Sequence, residues 1–422
     1  MIALDPGTGA EKWRYDPKIS SNYRPANRFV CRRVAYWVDD EAPINAACRA
    51  RIFMGTNDVR LIALDAKTGL PCADFGAGGE VRLEIGMKLE WPGEFQITSP
   101  PLAGRGVVVV GSAIGDNRRV NAPSGMVRAF DARNGRPRWS FDPLKHDGIE
   151  AGHANVWAPM SVDEVRGLVF LPTSSSSPDF WGGKRPGNNE HANSVVALRI
   201  ETGELAWSFQ TVHHDVWVYD LPAQPTLARI DTGEGQRDVV IQPTKQGFVF
   251  VLDRDTGKPV WPVEERPVPQ NGAKGEKLSP TQPFPTHVPA LTQQTISTDD
   301  ALSPIPGMRS ACERQFAQAR NEGLFTPPST QGTLIFPFTG GGVNWGGAAF
   351  DPVNQILYAN TSRAVHLIKL IPRADAAGFN PPPGHDFGQQ QGAPFAMSRA
   401  VVMSPLGMIC VKPPWGEWSR LT

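Results

Sequence analysis

Ile2-Ala-Leu-Asp-Pro-Gly-Thr-Gly-Ala-Glu-Lys-Trp13 is the stretch on which the fold turns, because the chain returns to its pattern four more times. It recurs as Ile62-Ala-Leu-Asp-Ala-Lys-Thr-Gly69, as Val127-Arg-Ala-Phe-Asp-Ala-Arg-Asn-Gly-Arg-Pro-Arg-Trp139, as Val196-Ala-Leu-Arg-Ile-Glu-Thr-Gly-Glu-Leu-Ala-Trp207 and as Val251-Leu-Asp-Arg-Asp-Thr-Gly-Lys-Pro-Val-Trp261. Each copy alternates apolar and polar residues, reaches a turn of the Asp-x-x-Thr/Asn-Gly kind and, in four of the five, continues toward a Trp. The Gly supplies the positive φ of a tight turn and the Asp or Asn side chain bonds its backbone, so each copy predicts one antiparallel hairpin. The turn glycines Gly9, Gly69, Gly135, Gly203 and Gly257 recur about every 60 residues. That period fits a four-stranded blade of about 40 to 50 residues with loop insertions. The repeating Trp is read as packing between blades. Further strands are expected at 106–112, 167–173, 237–242 and 355–359.

Composition supports an all-β chain. The 42 glycines and 40 prolines make up nearly a fifth of 422 residues, above the usual share of roughly 12%. With no low-complexity run to absorb them, they punctuate many short elements. Lys plus Arg and Asp plus Glu both number 42, and no basic stripe alternates with aromatics, so nucleic acid is not an expected partner. The longest apolar run, near Gly106 to Gly115, falls far short of the roughly 20 residues needed to span a bilayer and reads as a buried strand. No transmembrane segment is expected in this chain.

Five cysteines, Cys31, Cys48, Cys72, Cys312 and Cys410, show no Cys-x-x-Cys and no Cys-x-x-Cys-His haem attachment pattern. An odd count leaves at least one thiol unpaired within the chain. A Cys31–Cys48 disulfide and buried free thiols are both compatible with this spacing. Met1-Ile2 enters the first repeat with no basic and apolar leader pattern. Export information is therefore expected elsewhere, or the chain is a fragment.

Two stretches interrupt the repeats. Residues 259–306, rich in Pro, Lys, Gln and Thr, read as a long surface insertion after an opening strand, with helical composition following from Cys312 to Glu322. Residues 373–394 form a second Pro/Gly/Gln-rich loop. A third stretch, Thr211 to Pro225, concentrates His213, His214, Asp215, Trp217, Tyr219 and Asp220 and then stops on prolines. Adjacent residues of an extended segment point apart, so His213 and His214 are read as structural rather than as a metal pair.

These motifs together resemble the pyrroloquinoline-quinone-dependent dehydrogenases of the quinoprotein glucose and quinate type. The resemblance is carried by the repeats, by Thr98-Ser-Pro-Pro-Leu102, Gly111-Ser112 with Asp116-Asn117, Trp157-Ala-Pro159 and Pro178-Asp-Phe-Trp-Gly-Gly183. It continues through Thr211 to Pro225, Phe325-Thr-Pro-Pro-Ser329, Asn344-Trp-Gly-Gly347 and Leu370-Ile-Pro-Arg373, and so covers essentially the whole chain. It implies an eight-bladed β-propeller of quinoprotein type, of which residues 1–422 would supply about five to six blades as one partial domain. It further implies pyrroloquinoline quinone (PQQ), Ca²⁺ or Mg²⁺, a sugar, polyol or cyclic alcohol of glucose or quinate type as substrate, a membrane quinone as electron acceptor, and a periplasmic, membrane-associated setting.

The resemblance also assigns residues. Trp157 is expected as the ring-stacking floor, and Lys245, in Gln242-Pro-Thr-Lys-Gln-Gly247, as the cation beside the reactive carbonyl oxygens. Asp116 and Asn117, Ser177, Trp345 and Asn360 match positions around the cofactor; each also has a plainer reading as turn pair, loop end, blade packing or strand cap. The family's catalytic Asp, which also helps ligate the metal, is replaced by Val218, which can neither accept a proton nor bind calcium. Arg28 stands where a substrate-facing His is expected. Activity of this copy is accordingly expected to be impaired. Asp220 is the candidate substitute base, since it shares the face of residue 218 if the segment is extended. The metal ligands stay unassigned. A non-catalytic propeller acting as a scaffold or protein-binding module is the rival reading.

Overall fold

Four of the five predicted hairpins close through an Asp side chain, and the fourth copy, with Arg199 at that position, closes through backbone bonds instead. In the second copy Asp65 Oδ1 accepts from the Lys67 and Thr68 N–H groups, each at 2.9 Å, and from the Thr68 hydroxyl at 3.0 Å. Gly69 then turns the chain at φ 72°. The computed structural model describes residues 1–20, 22–83, 87–144 and 148–422. Among them the hairpins extend into antiparallel sheets whose strands follow chain order. The first complete one comprises Ala35–Val38, Ala50–Gly55, Arg60–Asp65 and Glu80–Arg82; the next comprises Leu102–Gly104, Val107–Val110, Val127–Asp131 and Pro137–Phe141. A third comprises Ser161–Asp163, Leu168–Pro172, Ser194–Arg199 and Leu205–Gln210, and a three-stranded sheet follows with Thr226–Asp231, Gln236–Pro243 and Val249–Asp253.

The first strands of these sheets touch one another in succession. Ala35–Val38 meets Leu102–Gly104, which meets Ser161–Asp163, which meets Thr226–Asp231, which in turn meets Ala348–Asp351 of a later sheet. Sheets arranged with their first strands inward around a common axis are the blades of a propeller. The fully buried runs Val107–Val110 and Leu168–Pro172 are second strands covered on both faces, which explains their continuous apolar character.

Neighbouring blades are fastened by the repeating Trp. Trp139 Nε1 donates to the Ile200 carbonyl at 2.8 Å, and a Cβ placed on Gly203 would lie 2.6 Å from the Trp139 ring. Gly203 is therefore required twice, for its φ of 76° and for the space its missing Cβ leaves to the indole. The same contact joins Trp13 to the Gly69 turn and Trp207 to the Gly257 turn. Trp261 departs from the expectation: its ring stacks on His287 at 4.7 Å instead of on a following hairpin.

The two interruptions contain more structure than their composition suggested. The insertion folds back as a hairpin of Val263–Pro267 with Thr281–Pro285, and a helix runs over Met308–Ala317. The helix starts four residues before Cys312, directly after Gly307, and ends before Glu322. Two sheets then interleave in sequence, one of Ala348–Asp351, Ile356–Ser362 and Gly416–Leu421, the other of Thr333–Ile335, His366–Pro372, Phe395–Val401 and Asp386–Gly388. The second Pro/Gly-rich loop contributes that last short strand and a single turn of helix at Arg373–Ala376.

The Cys31–Cys48 pairing is corrected. Cys48 bonds Cys72, both buried beside the Ala50–Asp65 hairpin, while Cys31 is free on an exposed loop. Cys312 bonds Cys410 across 98 residues, tying the helix to the chain leading into the Gly416–Leu421 strand.

The Gly203→Ala substitution is expected to lower unfolding free energy by about 2–5 kcal/mol, the sum of a left-handed Ala and overpacking against Trp139. Gly9→Ala, at the same φ but with nothing within 4 Å, should cost only about 1–2 kcal/mol; urea titration of both variants separates the two terms. Replacing both Cys312 and Cys410 with Ser should cost about 2–4 kcal/mol in the same assay, the usual range for losing a native cross-link. The native protein should take up a single alkyl label, at Cys31.

Candidate functional site

The loops that enter the first strands all end on one cavity of about 260 Å³. Arg32 precedes Ala35–Val38, Thr98 precedes Leu102–Gly104, Trp157 precedes Ser161–Asp163 and Asp220 precedes Thr226–Asp231, so successive blades each send a polar or aromatic group to the same end of the axis. Lys245 joins them from the tight connection between Gln236–Pro243 and Val249–Asp253.

The Thr211–Pro225 segment shows how this presentation works. Asp215 is 2% exposed; it accepts from the Trp217 and Tyr219 N–H groups, each at 2.9 Å, from Asn193 Nδ2 at 3.0 Å and from the Ser175 hydroxyl. Burial, its largest influence, leaves the Asp215 carboxyl above the usual range despite these donors. Trp217 Nε1 and the Tyr219 hydroxyl reach the carbonyls of Thr326 and Pro337 in the core. With residues 215, 217 and 219 anchored inward, Val218 and Asp220 face the cavity. The segment is nevertheless not extended. Val218 has φ 62°, a costly conformation for a β-branched residue.

Asp220 is fully committed. Its Oδ1 pairs with Lys245 Nζ, its Oδ2 accepts from Trp157 Nε1 at 2.5 Å, and Lys245 also donates to the Val218 carbonyl at 2.9 Å. The Lys245 ammonium lies 6.0 Å from the centre of the Trp157 ring, and the Arg32 guanidinium 5.0 Å from it. Burial pulls the Arg32 pKa down, and its Nη1 has no hydrogen-bond partner. Arg399 supplies a third cation at the cavity wall.

The same cavity carries an acidic cluster of Asp116 and Asp179 with His153. Asp179 accepts from the Asn117 N–H at 3.2 Å and lies 3.6 Å from His153 Nδ1. The Asp116 carboxyl is pushed up, to about 6, first by burial and then by the charge of Asp179. Asp116 also keeps an exposed surface, so water limits that push. Behind the wall, Thr339 bonds His366 Nδ1 at 2.9 Å; burial first, then Arg399 and Lys245, depress His366 to about 3.

Of the residues expected at the cofactor, the fold brings Asp116, Trp157, Lys245 and Asp220 to the cavity and leaves four outside it. Ser177 is wholly buried, donating to the Val120 carbonyl at 2.7 Å and accepting from the Gly152 N–H at 2.8 Å, because its loop turns inward there. Asn117 follows Asp116 at φ 56°, which turns its side chain away toward Gly388. Trp345 is 61% exposed, and Asn360, on the central strand of its sheet and paired in register with Trp418, lies next to Gly346. Arg28 is exposed as well, and Arg32 occupies the wall instead. His213 and His214 are held by Glu265 at 3.1 Å and Glu276 at 2.8 Å, clamping the inserted segment. The residues that sequence reading missed are His153, Asp179, Arg32 and Arg399. Asp179 sat inside a quoted motif, and His153 lies four residues before Trp157; Arg32 and Arg399 carry no local signal.

Comparisons with known proteins agree with this architecture. The family described as PQQ glucose/ethanol/alcohol dehydrogenase, beta-propeller domain, matches residues 1–421. The quinoprotein glucose dehydrogenase of Escherichia coli is 38% identical over 442 residues, covering 100% of this chain and 55% of its own length. The quinate/shikimate dehydrogenase (quinone) of Acinetobacter baylyi is 35% identical over 457 residues, covering 100% of this chain and 56% of its own length. Among solved structures, a europium-containing methanol dehydrogenase superposes with a TM-score of 0.64 at 21% identity, over 99% of this chain and 64% of that one, and so shares the fold. The chain spans about half the length of the curated relatives it matches. With its repeats, its axial cavity and this match in hand, the chain belongs to the PQQ glucose/ethanol/alcohol dehydrogenase β-propeller family.

Proposed function

We propose that this chain carries the cofactor site of a PQQ-dependent dehydrogenase that oxidises the CH–OH group of a sugar, polyol or cyclic alcohol. The observation that carries the reading is the convergence of Arg32, Lys245 and Arg399 with the Trp157 indole on one cavity. A flat tricarboxylic quinone needs an aromatic face and several cations, and buried Arg32 Nη1 is left without a partner. A planar anion entering over Trp157 exchanges the Arg32 cation–π contact for ring stacking and a direct ion pair with the same guanidinium. The residues therefore fit the quinone.

The divalent ion implied by the resemblance fits less well. Calcium takes six to eight oxygen ligands. Val218 offers no side-chain oxygen, and both Asp220 oxygens are engaged. Among the described residues, the one cluster of three close metal-binding side chains is Cys48, Cys72 and Asp74, where both sulfurs are in a disulfide. No step is assigned to a metal here.

The quinone, when bound, supplies a carbonyl that accepts hydride. Lys245, held by Asp220 and the Val218 carbonyl, is a preorganised cation for an oxygen that gains negative charge as hydride arrives. Asp220 and Trp157 position Lys245, and the indole edge is fixed by the same carboxylate. Two disulfides favour an oxidising compartment, which supports a periplasmic setting; a membrane quinone as electron acceptor rests on the family resemblance alone. No helix among the described residues is long and apolar enough to cross a membrane.

Titrating the purified protein with PQQ should quench tryptophan fluorescence saturably, and absence of saturable binding would sink this reading. Trp157→Ala should weaken binding about tenfold, or about 1.4 kcal/mol. Lys245→Ala, by stranding the buried Asp220 carboxylate, should cost about 3–5 kcal/mol of stability, measured by denaturant unfolding. The double variant Lys245→Met with Asp220→Leu should recover most of that stability without recovering dye reduction.

A further inference from the structure

We propose that the proton acceptor in this cavity is the His153–Asp179 pair, with His153 Nε2 as the accepting atom and Asp179 as its positioning residue. The inference rests on the dehydrogenase reading above. Removing hydride from an alcohol carbon requires the hydroxyl proton to go to a base, and the cavity offers few; the Asp116 carboxyl is the rival to His153, and Asp116→Asn separates the two. Asp220 has both oxygens occupied by Lys245 and Trp157. Lys245 is a donor already, and Val218 has no proton-accepting group. His366 lies behind Thr339 and is held neutral among cations.

His153 has the opposite character. It lines the cavity while only 4% exposed, with the Gly115 backbone beside its ring, and its Nε2 is shut off from solvent without a hydrogen-bond partner, a buried lone pair that an entering hydroxyl would satisfy. Its backbone is fixed at φ 61° by bonds from its N–H to the Pro123 carbonyl at 2.9 Å and from the Gly125 N–H to its own carbonyl at 2.9 Å. The Asp179 carboxylate, 3.6 Å from Nδ1 and so acting through its charge, favours the tautomer that carries its proton on Nδ1 and leaves the lone pair on Nε2. Asp179 is itself 4% exposed and held by the Asn117 N–H. The charged groups facing this pair are Asp116, Arg185 beside Asp179 and, across Asp116, Asp220 and Arg399. Burial alone pulls the imidazole pKa down, but Asp179 and then Asp116 outweigh it, so the net displacement is upward from 6.5.

The substrate O–H bond breaks and its proton goes to His153 Nε2. The C–H bond breaks with its electron pair passing to the quinone, and the carbon–oxygen double bond forms. The alcohol is oxidised, the quinone reduced, and the imidazolium gives up its proton to solvent after product leaves. Because the base works only when unprotonated, kcat/KM should rise with pH through an acid limb set by His153 and lying above 6.5.

The test uses the full chain with PQQ and an artificial electron acceptor, comparing wild type with His153→Gln, Asp179→Asn and Asp116→Asn. PQQ binding is followed by fluorescence, kcat/KM by dye reduction across pH, and the His153 Cε1–H shift by NMR titration without cofactor. His153→Gln should bind PQQ within about threefold of wild type, lose about 10²–10⁴ in kcat/KM and lose the acid limb. Asp179→Asn should keep binding and move both the acid limb and the NMR pKa of His153 down by about one unit. The inference is overturned if His153→Gln keeps its rate and acid limb, if the limb disappears in Asp116→Asn instead, or if the His153 titration ignores Asp179→Asn. Loaded wild type that does not turn over any alcohol of a sugar and polyol panel also overturns it. Failure of wild type to bind PQQ overturns the dehydrogenase reading, and the assignment of a base falls with it.

Discussion

Indole against glycine is the contact on which the rest of this molecule depends. A hairpin by itself is marginal in water, and each blade exposes faces that only a neighbour can cover. Trp13, Trp139 and Trp207 cross from one blade to the turn of the next, seating the ring where a Cβ would be and donating to the turn carbonyl. This sets both spacing and rotation between blades, and so determines which loops converge at the axis. The cavity residues inherit their mutual distances from these outer contacts.

Within that frame the inner loops work by alternation. Asp215 collects backbone and side-chain donors in the core, Trp217 and Tyr219 fill it, and the intervening positions are turned toward the axis. The cavity wall mixes charges: Lys245, Arg32 and Arg399 are its cations, and Asp116 and Asp179 are set among them with His153, Asp116 feeling the charge of Arg399. Asp220 stands between, neutralising Lys245 and pinning Trp157, so its carboxylate is spent on structure.

Much of the fold was legible because its cause is local. A turn such as Asp65-Ala-Lys-Thr-Gly69 states its own geometry, and five copies state the architecture. The helix and the Val263–Pro285 hairpin were harder to place, since Pro-rich composition signals an interruption without saying what fills it. At the site, Trp157, Lys245, Asp116 and Asp220 were readable from motif context. Ser177, Asn117, Trp345 and Asn360 shared that context but were diverted by a loop turning inward, a positive φ, an exposed turn and a strand beside Gly346. Arg32 and Arg399 were unreadable for a different reason: nearly 370 residues of chain separate two side chains that share one wall. Pairing of Cys48 with Cys72 likewise depends on a sheet that has to form first.

The left-handed backbone at Val218 has one more consequence. A valine does not choose that conformation; the donors gathered on Asp215 and the buried rings on either side impose it. Loop shape at this position is thus dictated by its neighbours, and the strain carried by the Val218 backbone is the cost of aiming residue 218 at the axis.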